Sequence, residues 1–385
     1  MKTVSVLGST GSIGCSTVDL LLQAPDQFRT GALVGGRNVA RLAEQARALG
    51  ARRAVIADES LLPELERLLA GSGVETAGGR AAVIEAAALP VDWTRAAITG
   101  ATGLEPTLAA VRNGRSVALA NKEALVCAGD VMLKAVADAG ATLLPVDSEH
   151  NAVFQSMADK QADEGEQIIL TASGGPFRRA SLEEMEKAPL EAALKHPTWT
   201  MGAKITIDSA TMFNKGLELI EAARLFNVTE DKLGVVVHPQ SVVHGMVQYT
   251  DGSIVAQLGS ADMRIPIAHT LAWPARMPTN SPRLDLAALA RLDFEAPDEV
   301  RFPALRLARE SLRVGGAMPA ILSGANEIAV EAFLKREIGF LDIARIVEDV
   351  MQSIGPQRAD TLEEVLHWDN ESRRVARQRT VARAA

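Results

Sequence analysis

Short apolar runs alternate with segments of helical periodicity over the first 150 residues of the chain. Apolar runs of this length are typical of strands buried on both faces, and apolar residues three and four positions apart are typical of helices. Such alternation builds right-handed βαβ units and a parallel sheet covered by helices. The predicted strands are residues 3–7, 31–34, 53–56, 96–98, 116–119 and 141–145, and the predicted helices are residues 39–49, 61–69, 103–113 and 123–139.

The pattern changes after about residue 150, where an α+β arrangement is predicted. Asp251-Gly252 between two of the later apolar runs is typical of a β-hairpin. Residues 274–302 hold several prolines and little periodicity, which predicts a linker, and the chain from Pro303 onward is predicted to be helical. Thr361 and Glu364 form a capping box ahead of the last helix. The later predicted strands are residues 168–172, 235–238, 245–249 and 254–258.

Composition narrows the class of protein. The chain has 385 residues, 47% hydrophobic and 23% charged, which excludes disorder as the main state and allows more than one core. The net charge of −8 argues against a general nucleic-acid or anionic-membrane binder. No apolar run approaches the ~18 residues of a membrane span. Two cysteines, Cys15 and Cys127, give no disulfide framework, so the cytoplasm is the expected compartment.

A glycine-rich loop follows the first predicted strand directly and opens a helix. Its glycines, Gly8, Gly11 and Gly14, have the spacing GxxGxxG, a variant of the dinucleotide fingerprint GxGxxG. Glycines let the backbone approach a pyrophosphate, and the helix N-terminus supplies N–H donors. The sequence therefore predicts a Rossmann-like, doubly wound sheet that binds a dinucleotide. A tight βα turn without a ligand is the alternative.

The end of the second predicted strand indicates which dinucleotide is bound. A site for NAD usually places Asp or Glu there, on the ribose hydroxyls. This chain instead has Gly36, Arg37 and Asn38. A guanidinium is suited to pairing with a 2′-phosphate, which favours NADP over NAD, unless Arg37 merely lies on a solvated loop.

Two acidic clusters suggest a hard divalent metal. Asp147 and Glu149 follow a predicted strand, and in extended chain they would point to the same side. Acidic pairs at strand ends are also common surface features. In the second cluster, Asn214 and Glu218 share a helix face, and Glu218 is a candidate third oxygen ligand.

Three further segments carry candidate chemistry. Ser209, Asn214 and Lys215 could hold a phosphate; alternatively, Ser209 is a helix N-cap and Lys215 is exposed. Lys122 follows another strand's carboxyl end, where α/β sheets bind ligands, but it could equally be part of a charge pair at a helix start. Residues 194–202 form either a loop docked on the core or a mobile lid.

Several ordered motifs together resemble one family over nearly the whole chain, 1-deoxy-D-xylulose 5-phosphate reductoisomerase. The motifs in the first half are Gly8-Ser9-Thr10-Gly11-Ser12-Ile13-Gly14-Cys15-Ser16-Thr17, Ala120-Asn121-Lys122-Glu123, Val146-Asp147-Ser148-Glu149-His150 and Ser173-Gly174-Gly175-Pro176-Phe177-Arg178. Those in the second half are His196-Pro197-Thr198-Trp199, Asp208-Ser209-Ala210-Thr211-Met212, Asn214-Lys215-Gly216-Leu217-Glu218, His238-Pro239-Gln240-Ser241 and Ala325-Asn326-Glu327.

The resemblance implies an oxidoreductase that uses NADPH and Mg²⁺ or Mn²⁺ to isomerise and reduce its phosphorylated ketose substrate to 2-C-methyl-D-erythritol 4-phosphate, in non-mevalonate isoprenoid biosynthesis. It implies a homodimer whose interface includes strands of the catalytic domain, and no nucleic-acid or membrane partner is expected. The implied divisions are an NADPH-binding Rossmann-like domain (1–149), a catalytic α+β domain with a lid (150–273), a linker (274–302) and a C-terminal helical domain (303–385).

The resemblance also assigns roles to individual residues. Cofactor contacts are implied for Thr10, Gly11, Ser12, Ile13, Gly36, Arg37, Asn38, Asn121, Glu123 and Gly202. Substrate contacts are implied for Lys122, Ser148, Glu149, Ser173, His196, Ser209, Asn214, Lys215 and Glu218. Metal ligands are Asp147, Glu149 and Glu218, and catalysis is assigned to these three with Lys122 and His196. Glu149 and Lys122 are the alternatives for the general base.

Two other functions remain possible at this point. A semialdehyde dehydrogenase shares a cofactor domain of this type but needs a cysteine nucleophile, for which neither Cys15 nor Cys127 is well placed. A non-catalytic NADP sensor would bind the cofactor without needing converging carboxylates.

Overall fold

A computed structural model describes residues 1–157 and 165–384. The described chain forms two compact units, each with its own core. Unit one comprises Met1–Ala124, Met132–Asn151 and Asp262–Ser281. Unit two comprises Leu125–Val131, Ala152–Ala261 and Pro282–Ala385. The predicted division into three domains and a linker stays a prediction.

Eleven strands and seventeen helices are found in the described residues. The strands are β1 (Lys2–Leu7), β2 (Phe28–Gly35), β3 (Arg53–Ile56), β4 (Glu75–Gly78), β5 (Trp93–Ala96), β6 (Ser116–Leu119), β7 (Thr142–Pro145), β8 (Gly165–Ala172), β9 (Leu233–Val237), β10 (Val243–Tyr249) and β11 (Ile254–Leu258). The helices are α1 (Ser12–Gln23), α2 (Val39–Ala48), α3 (Leu62–Leu69), α4 (Gly79–Ala87), α5 (Leu104–Val111), α6 (Lys122–Ala139), α7 (Ser148–Ser156), α8 (Leu182–Glu186), α9 (Leu190–Ala193), α10 (Ala203–Ala210), α11 (Phe213–Leu225), α12 (Arg264–Ala272), α13 (Leu286–Leu289), α14 (Ala304–Val314), α15 (Met318–Leu334), α16 (Asp342–Ile354) and α17 (Leu362–Ala384).

Unit one is built on a seven-stranded parallel sheet in the order β4-β3-β2-β1-β5-β6-β7. The order reverses between β1 and β5, and ligands of open α/β sheets bind at such a switch point. The glycine loop after β1 lies there, as predicted. Five of the six strands predicted in this half are present to within a few residues at their ends, and the one predicted at residues 96–98 lies instead at Trp93–Ala96. Strand β4 was missed because its sequence Glu-Thr-Ala-Gly carries no apolar run, and it forms a partly exposed edge.

Helix α12 joins unit one although it is distant in sequence from the other elements. Lys2 Nζ donates to the carbonyl of Leu271 at 2.9 Å. The His269 imidazole accepts at Nδ1 from the Asn151 amide at 3.1 Å. Burial lowers the pKa of His269 to about 4, so the ring is neutral at physiological pH and able to accept this bond.

Unit two contains a mixed four-stranded sheet in the order β11-β10-β8-β9. The antiparallel pair β10–β11 turns at Asp251-Gly252, which confirms the predicted hairpin. Strand β8 is antiparallel to β10 and parallel to β9. Within residues 274–302, the segment predicted as a linker, Glu295 bridges to Val237 at the end of β9 and α13 is the helix present.

Helices α14 to α17 form the helical bundle of unit two, with the largely buried α15 packed against the other three. The predicted capping box is confirmed, since Glu364 N donates to Thr361 Oγ1 at 3.2 Å and Thr361 N donates to Glu364 Oε2 at 3.0 Å. The predicted fold class, a Rossmann-like sheet followed by an α+β domain and a helical bundle, is therefore confirmed. In residues 1–157 and 165–384, no helix combines the length and apolar character needed to cross a bilayer.

Candidate active site

The glycine loop in unit one brings backbone segments closer together than side chains would allow. Gly8 has φ +88°, and a Cβ there would lie 2.5 Å from the carbonyl oxygen of Ala97. A Cβ on Gly14 would lie 2.2 Å from the Gly8 carbonyl oxygen. Gly11 is the N-cap of α1 and offers no side chain to its first N–H groups. The loop therefore presents a helix N-terminus at the switch point, as a pyrophosphate site requires.

The end of β2 brings a guanidinium to the same edge of the sheet. Arg37 is exposed and its Nη1 lies 2.8 Å from Oδ2 of Asp58, the carboxylate that follows β3. Asn38 caps α2, because its side chain accepts the N–H of Arg41 at 3.1 Å. Sequence analysis identified Arg37 and Asn38 but missed Asp58, which is distant along the chain and belongs to no motif.

Lys122 and Asp147, both in unit one, form a nearly buried ion pair with 2.5 Å between Nζ and Oδ2. Lys122 begins α6 and Asp147 follows β7, so neighbouring strands bring them together. Asp147 Oδ2 makes this contact without hydrogen-bond geometry to any described residue. A buried carboxylate oxygen that makes an ion pair but no hydrogen bond is suited to be a ligand of a hard divalent cation.

The prediction that Asp147 and Glu149 lie in extended chain and point to the same side is wrong. Ser148 begins α7, so Glu149 lies in the first turn of a helix, where side chains no longer alternate between two faces. Ser148 Oγ donates to Glu149 Oε2 at 2.7 Å, and this bond orients the carboxylate. The helix begins here because Pro145 ends β7 and a serine and an acid follow, which suit a first turn.

Arg95 on β5 is a charged residue that sequence analysis missed. It is fully buried, and none of its guanidinium nitrogens has a hydrogen-bond partner among the described residues. Burial lowers its pKa to about 9, and the charge of Asp147 opposes that change. The predicted strand, residues 96–98, begins one residue too late to include Arg95, so the sequence pattern did not indicate that this arginine is buried.

In unit two, His196 draws together two of the predicted substrate residues. Its Nε2 lies 3.0 Å from Ser173 Oγ and 3.1 Å from Ser209 Oγ. Its Nδ1 accepts the backbone N–H of Trp199 at 2.9 Å. Burial lowers the pKa of His196, so the neutral ring predominates at neutral pH, with its proton on Nε2. The ring therefore donates at Nε2 toward the two hydroxyls.

Helix α11 carries the second polar cluster of unit two. Glu218, 1% exposed, accepts from Lys215 Nζ and from Asn214 Nδ2, one turn earlier on the same face. The alternative in which Ser209 caps a helix and Lys215 is exposed is wrong. Ser209 lies in the last turn of α10, the N-cap of α11 is Met212 at φ +65°, and Lys215 is 3% exposed.

A buried hydrogen bond between Asp208 on α10 and Asn326 on α15 joins α10 to the helical bundle. Asn326 Nδ2 donates to Asp208 Oδ1 at 2.8 Å, and both residues are buried. Lys204 Nζ lies 2.7 Å from the other carboxylate oxygen. The contact fixes α10, and with it Ser209, against α15. Both residues stand in quoted motifs, but neither spacing nor periodicity indicated that they pair.

The loop at residues 194–202 is docked within unit two. The Trp199 ring lies 6.0 Å from that of His244, and Thr198 Oγ1 lies 3.4 Å from Ser241 Oγ. Gly202, at the N-cap of α10, has open space where a Cβ would stand. The role of this loop as a lid stays a prediction.

Three family sequence models match the chain. One described as 1-deoxy-D-xylulose 5-phosphate reductoisomerase matches residues 4–129. One for the C-terminal domain of that enzyme matches residues 143–226. A further one, described as the DXP reductoisomerase C-terminal domain, matches residues 258–375. Together they cover most of the chain.

Relatives and solved structures agree with these matches. The 1-deoxy-D-xylulose 5-phosphate reductoisomerase of Gluconobacter oxydans is 67% identical over 97% of this chain and 92% of its own length. The Zymomonas mobilis enzyme, solved with NADPH, has a TM-score of 0.94 at 55% identity and covers 98% of this chain and 99% of its own. A DOX-P reductoisomerase solved with NADPH, fosmidomycin and magnesium has a TM-score of 0.94 at 41% identity over 99% and 98%. The chain belongs to the 1-deoxy-D-xylulose 5-phosphate reductoisomerase family.

Proposed function

We infer that the chain converts 1-deoxy-D-xylulose 5-phosphate to 2-C-methyl-D-erythritol 4-phosphate, with NADPH and a divalent metal. It is an NADP-dependent oxidoreductase of isoprenoid biosynthesis. The single observation that carries this conclusion is the 67% identity to a reductoisomerase over 97% of the chain. The glycine cradle after β1 and the carboxylates of Asp147 and Glu218, whose side chains are 19% and 1% exposed, supply what that activity needs.

We propose Asp147, Glu149 and Glu218 as the ligands of Mg²⁺ or Mn²⁺. All three offer carboxylate oxygens, the donors these cations prefer. A bound divalent cation would polarise the substrate carbonyl and lower the pKa of a neighbouring hydroxyl. Asp147 and Glu218 each already contact a lysine, so each carboxylate is charge-compensated within its own unit.

We propose that the glycine loop binds NADPH, which would supply the hydride. Thr10, Gly11, Ser12 and Ile13 take the pyrophosphate at the N-terminus of α1, and Gly36, Arg37 and Asn38 take the 2′-phosphate end. Asn121, Glu123 and Gly202 complete the site toward the nicotinamide. Asn121 is supported by its position at the carboxyl end of β6, where its Nδ2 donates to the Gly100 carbonyl at 3.2 Å.

We propose that unit two binds the phosphorylated substrate. Ser173, Ser209 and His196 supply hydroxyl and imidazole N–H donors, and Asn214 and Lys215 supply an amide and a cation. Such a set matches a phosphate dianion. Ser148 and Lys122 would contact the reacting end of the substrate. Lys122 and Glu149 remain the candidates for the group that removes the hydroxyl proton.

The first test follows NADPH absorbance with 1-deoxy-D-xylulose 5-phosphate. Oxidation is expected with Mg²⁺ or Mn²⁺, is expected to fall to background with EDTA, and is expected to return when excess metal is added. Activity that survives EDTA, or that is blocked by thiol alkylation, would favour the semialdehyde dehydrogenase. Binding of NADPH without turnover would favour the sensor. The structure gives little support to the semialdehyde dehydrogenase, because Cys127 is buried in α6.

We propose a homodimer that uses the edge strand β11. Its side chains are largely exposed, including Ile254, Val255 and Leu258 at 53%, 44% and 38%. Exposed apolar edge strands are templates for pairing with another chain, and this one borders the sheet of unit two. We further propose the cytoplasm as the compartment, where NADPH and sugar phosphates are available.

The dimer is tested by light scattering on a size-exclusion column. The wild-type chain is expected at twice its 40.8 kDa mass. Val255→Lys is expected to give a monomer at micromolar concentration, because it places a charge on the pairing strand. Val381→Lys, at a still more exposed valine (70%) on α17, is the control for an added surface charge and is expected to stay dimeric. A wild-type monomer, or a Val255→Lys dimer, would contradict the proposed interface.

A further inference from the structure

The strongest unexplained feature near the proposed cofactor site is a carboxylate beside its arginine. Arg37 Nη1 lies 2.8 Å from Asp58 Oδ2, and the arginine side chain is 81% exposed. Arg37, the residue proposed to bind the dianionic 2′-phosphate, therefore already forms an ion pair with the carboxylate of Asp58. With the NADPH 2′-phosphate placed at Arg37 as proposed above, this ion pair bears directly on cofactor binding.

The two loops that carry this pair are held together by their backbones. Ala57 N donates to the carbonyl of Gly35 at 2.8 Å, and Asp58 N donates to that of Gly36 at 3.2 Å. The carboxylate is also fixed, because Ser60 donates to its Oδ1 from both N and Oγ, at 3.1 and 2.6 Å. These bonds hold the pKa of Asp58 below its usual value, so it is an anion at neutral pH.

If the 2′-phosphate binds at Arg37 as proposed, Asp58 lies beside the adenosine ribose of the bound dinucleotide. A Cβ on Gly36 would have no neighbour within 4 Å, so the space beside the pair is open. In this position a fixed carboxylate has two possible effects on a cofactor. It repels a 2′-phosphate, and it can accept hydrogen bonds from the 2′-hydroxyl of an unphosphorylated ribose.

The position of Arg37 determines whether Asp58 repels the 2′-phosphate or accepts a hydrogen bond from the ribose. A phosphate with a charge near −2 competes for the guanidinium more strongly than a carboxylate, so NADPH can draw Arg37 away from Asp58. NADH has no such group, and Arg37 then stays on Asp58 and occupies the acceptor that the ribose would need. We propose that Asp58 is a residue that determines cofactor specificity. It competes with the 2′-phosphate of NADPH for Arg37 and so limits the affinity for NADPH. It is also a hydrogen-bond acceptor for the NADH ribose, but Arg37 occupies it in the wild-type chain.

The test measures NADPH and NADH dissociation constants by nicotinamide fluorescence on the full-length enzyme. Four proteins form a cycle: wild type, Asp58→Asn, Arg37→Ala and the double variant. Asp58→Asn is expected to bind NADPH about 3- to 10-fold more tightly, with NADH unchanged, from the loss of one exposed repulsion. Arg37→Ala is expected to weaken NADPH at least ~10-fold and to tighten NADH about 3-fold. The double variant is expected to lose that gain in NADH affinity.

Two further measurements separate this effect from general changes in charge or stability. Glu85→Gln removes a carboxylate that also pairs with an arginine in unit one, Arg53, at the opposite end of β3. It is expected to change neither constant. The gain in NADPH affinity of Asp58→Asn is expected to shrink at 0.5 M salt, because it is an exposed electrostatic effect. Thermal melts of all variants verify the fold.

The outcomes test the role of Asp58 and the placement of the 2′-phosphate at Arg37 separately. Weaker or unchanged NADPH binding by Asp58→Asn, while Arg37→Ala loses affinity, would overturn the role of Asp58 alone. Retention of the gain in NADH affinity by the double variant would also overturn it. Unchanged NADPH binding by Arg37→Ala would overturn both the placement of the 2′-phosphate and the inference built on it.

Discussion

Glu218→Gln is expected to lower kcat/KM for 1-deoxy-D-xylulose 5-phosphate by at least about 10³-fold, since losing a metal ligand removes several kcal/mol of transition-state stabilisation at about 1.4 kcal/mol per tenfold. The dissociation constant for NADPH is expected to stay within about twofold, because the proposed contacts of that cofactor lie on other residues. Substitution by glutamine keeps the length of the side chain and one carbonyl oxygen to accept from Asn214 or Lys215. The charge that a cation requires is lost.

The experiment pairs turnover with a direct measurement of metal binding. Mn²⁺ titration followed by electron paramagnetic resonance is expected to show a dissociation constant at least ~10-fold higher in Glu218→Gln. Glu331→Gln is the matched control, because Glu331 pairs with Lys335 on the exposed side of α15 in the same unit. Near-normal turnover of Glu218→Gln, or unchanged Mn²⁺ binding, would remove Glu218 from the metal site.

The lysine contacts of the proposed ligands explain how such carboxylates fold without a metal. A buried carboxylate left unpaired is costly, and here Lys122 compensates Asp147 while Lys215 compensates Glu218. A divalent cation held by the proposed ligands would take over part of that compensation. Each lysine would then be able to direct its charge toward an anionic substrate. We propose that the same lysines stabilise their units without a metal and contact the substrate when a metal is bound.

Unit one was largely predictable because local pattern and global fold agree there. Its parallel strands are buried on both faces and show as continuous apolar runs, and the glycine loop marks the first βα turn. Strand β4 escaped because an exposed edge needs no apolar run. The position of α12 also escaped, because its packing on unit one depends on contacts distant in sequence, such as Lys2 with Leu271.

The candidate site was predictable in its residue types and less so in its geometry. Motifs identified Asp147 and Glu218, but not the lysine that each contacts. Period-two reasoning failed at Glu149 because a helix starts one residue earlier. Asp58 and Arg95 belong to no motif. Asp58 is notable because folding brings it to Arg37, and Arg95 because it is fully buried. Charge partners across a fold are set by tertiary structure, which local pattern does not encode.

Gly14→Ala is expected to destabilise unit one by on the order of 3 kcal/mol or more, with a fall in Tm of roughly 10 °C. The new methyl group would lie 2.2 Å from the Gly8 carbonyl oxygen and 2.5 Å from that of Ser9. Neither carbonyl group can move away easily, because hydrogen bonds hold the backbone of both residues. The N–H groups of both residues donate to Val34, at 2.9 and 2.8 Å, and the Ser9 carbonyl accepts from Gln45 at 3.0 Å.

Gly11→Ala separates the packing role of the loop from its proposed role in binding NADPH. Gly11 has φ −75°, ordinary for alanine, and its Cβ would come no closer than 3.5 Å to the Gly8 carbonyl oxygen. Its Tm is therefore expected to stay within about 2 °C of wild type, whereas NADPH binding is expected to weaken at least ~10-fold, because the methyl group stands where a pyrophosphate must approach the backbone. Calorimetry and fluorescence titration on both variants measure the two effects independently. A stable Gly14→Ala would refute the packing argument. A Gly11→Ala that binds NADPH as tightly as wild type would show that the cofactor does not approach this face of the loop.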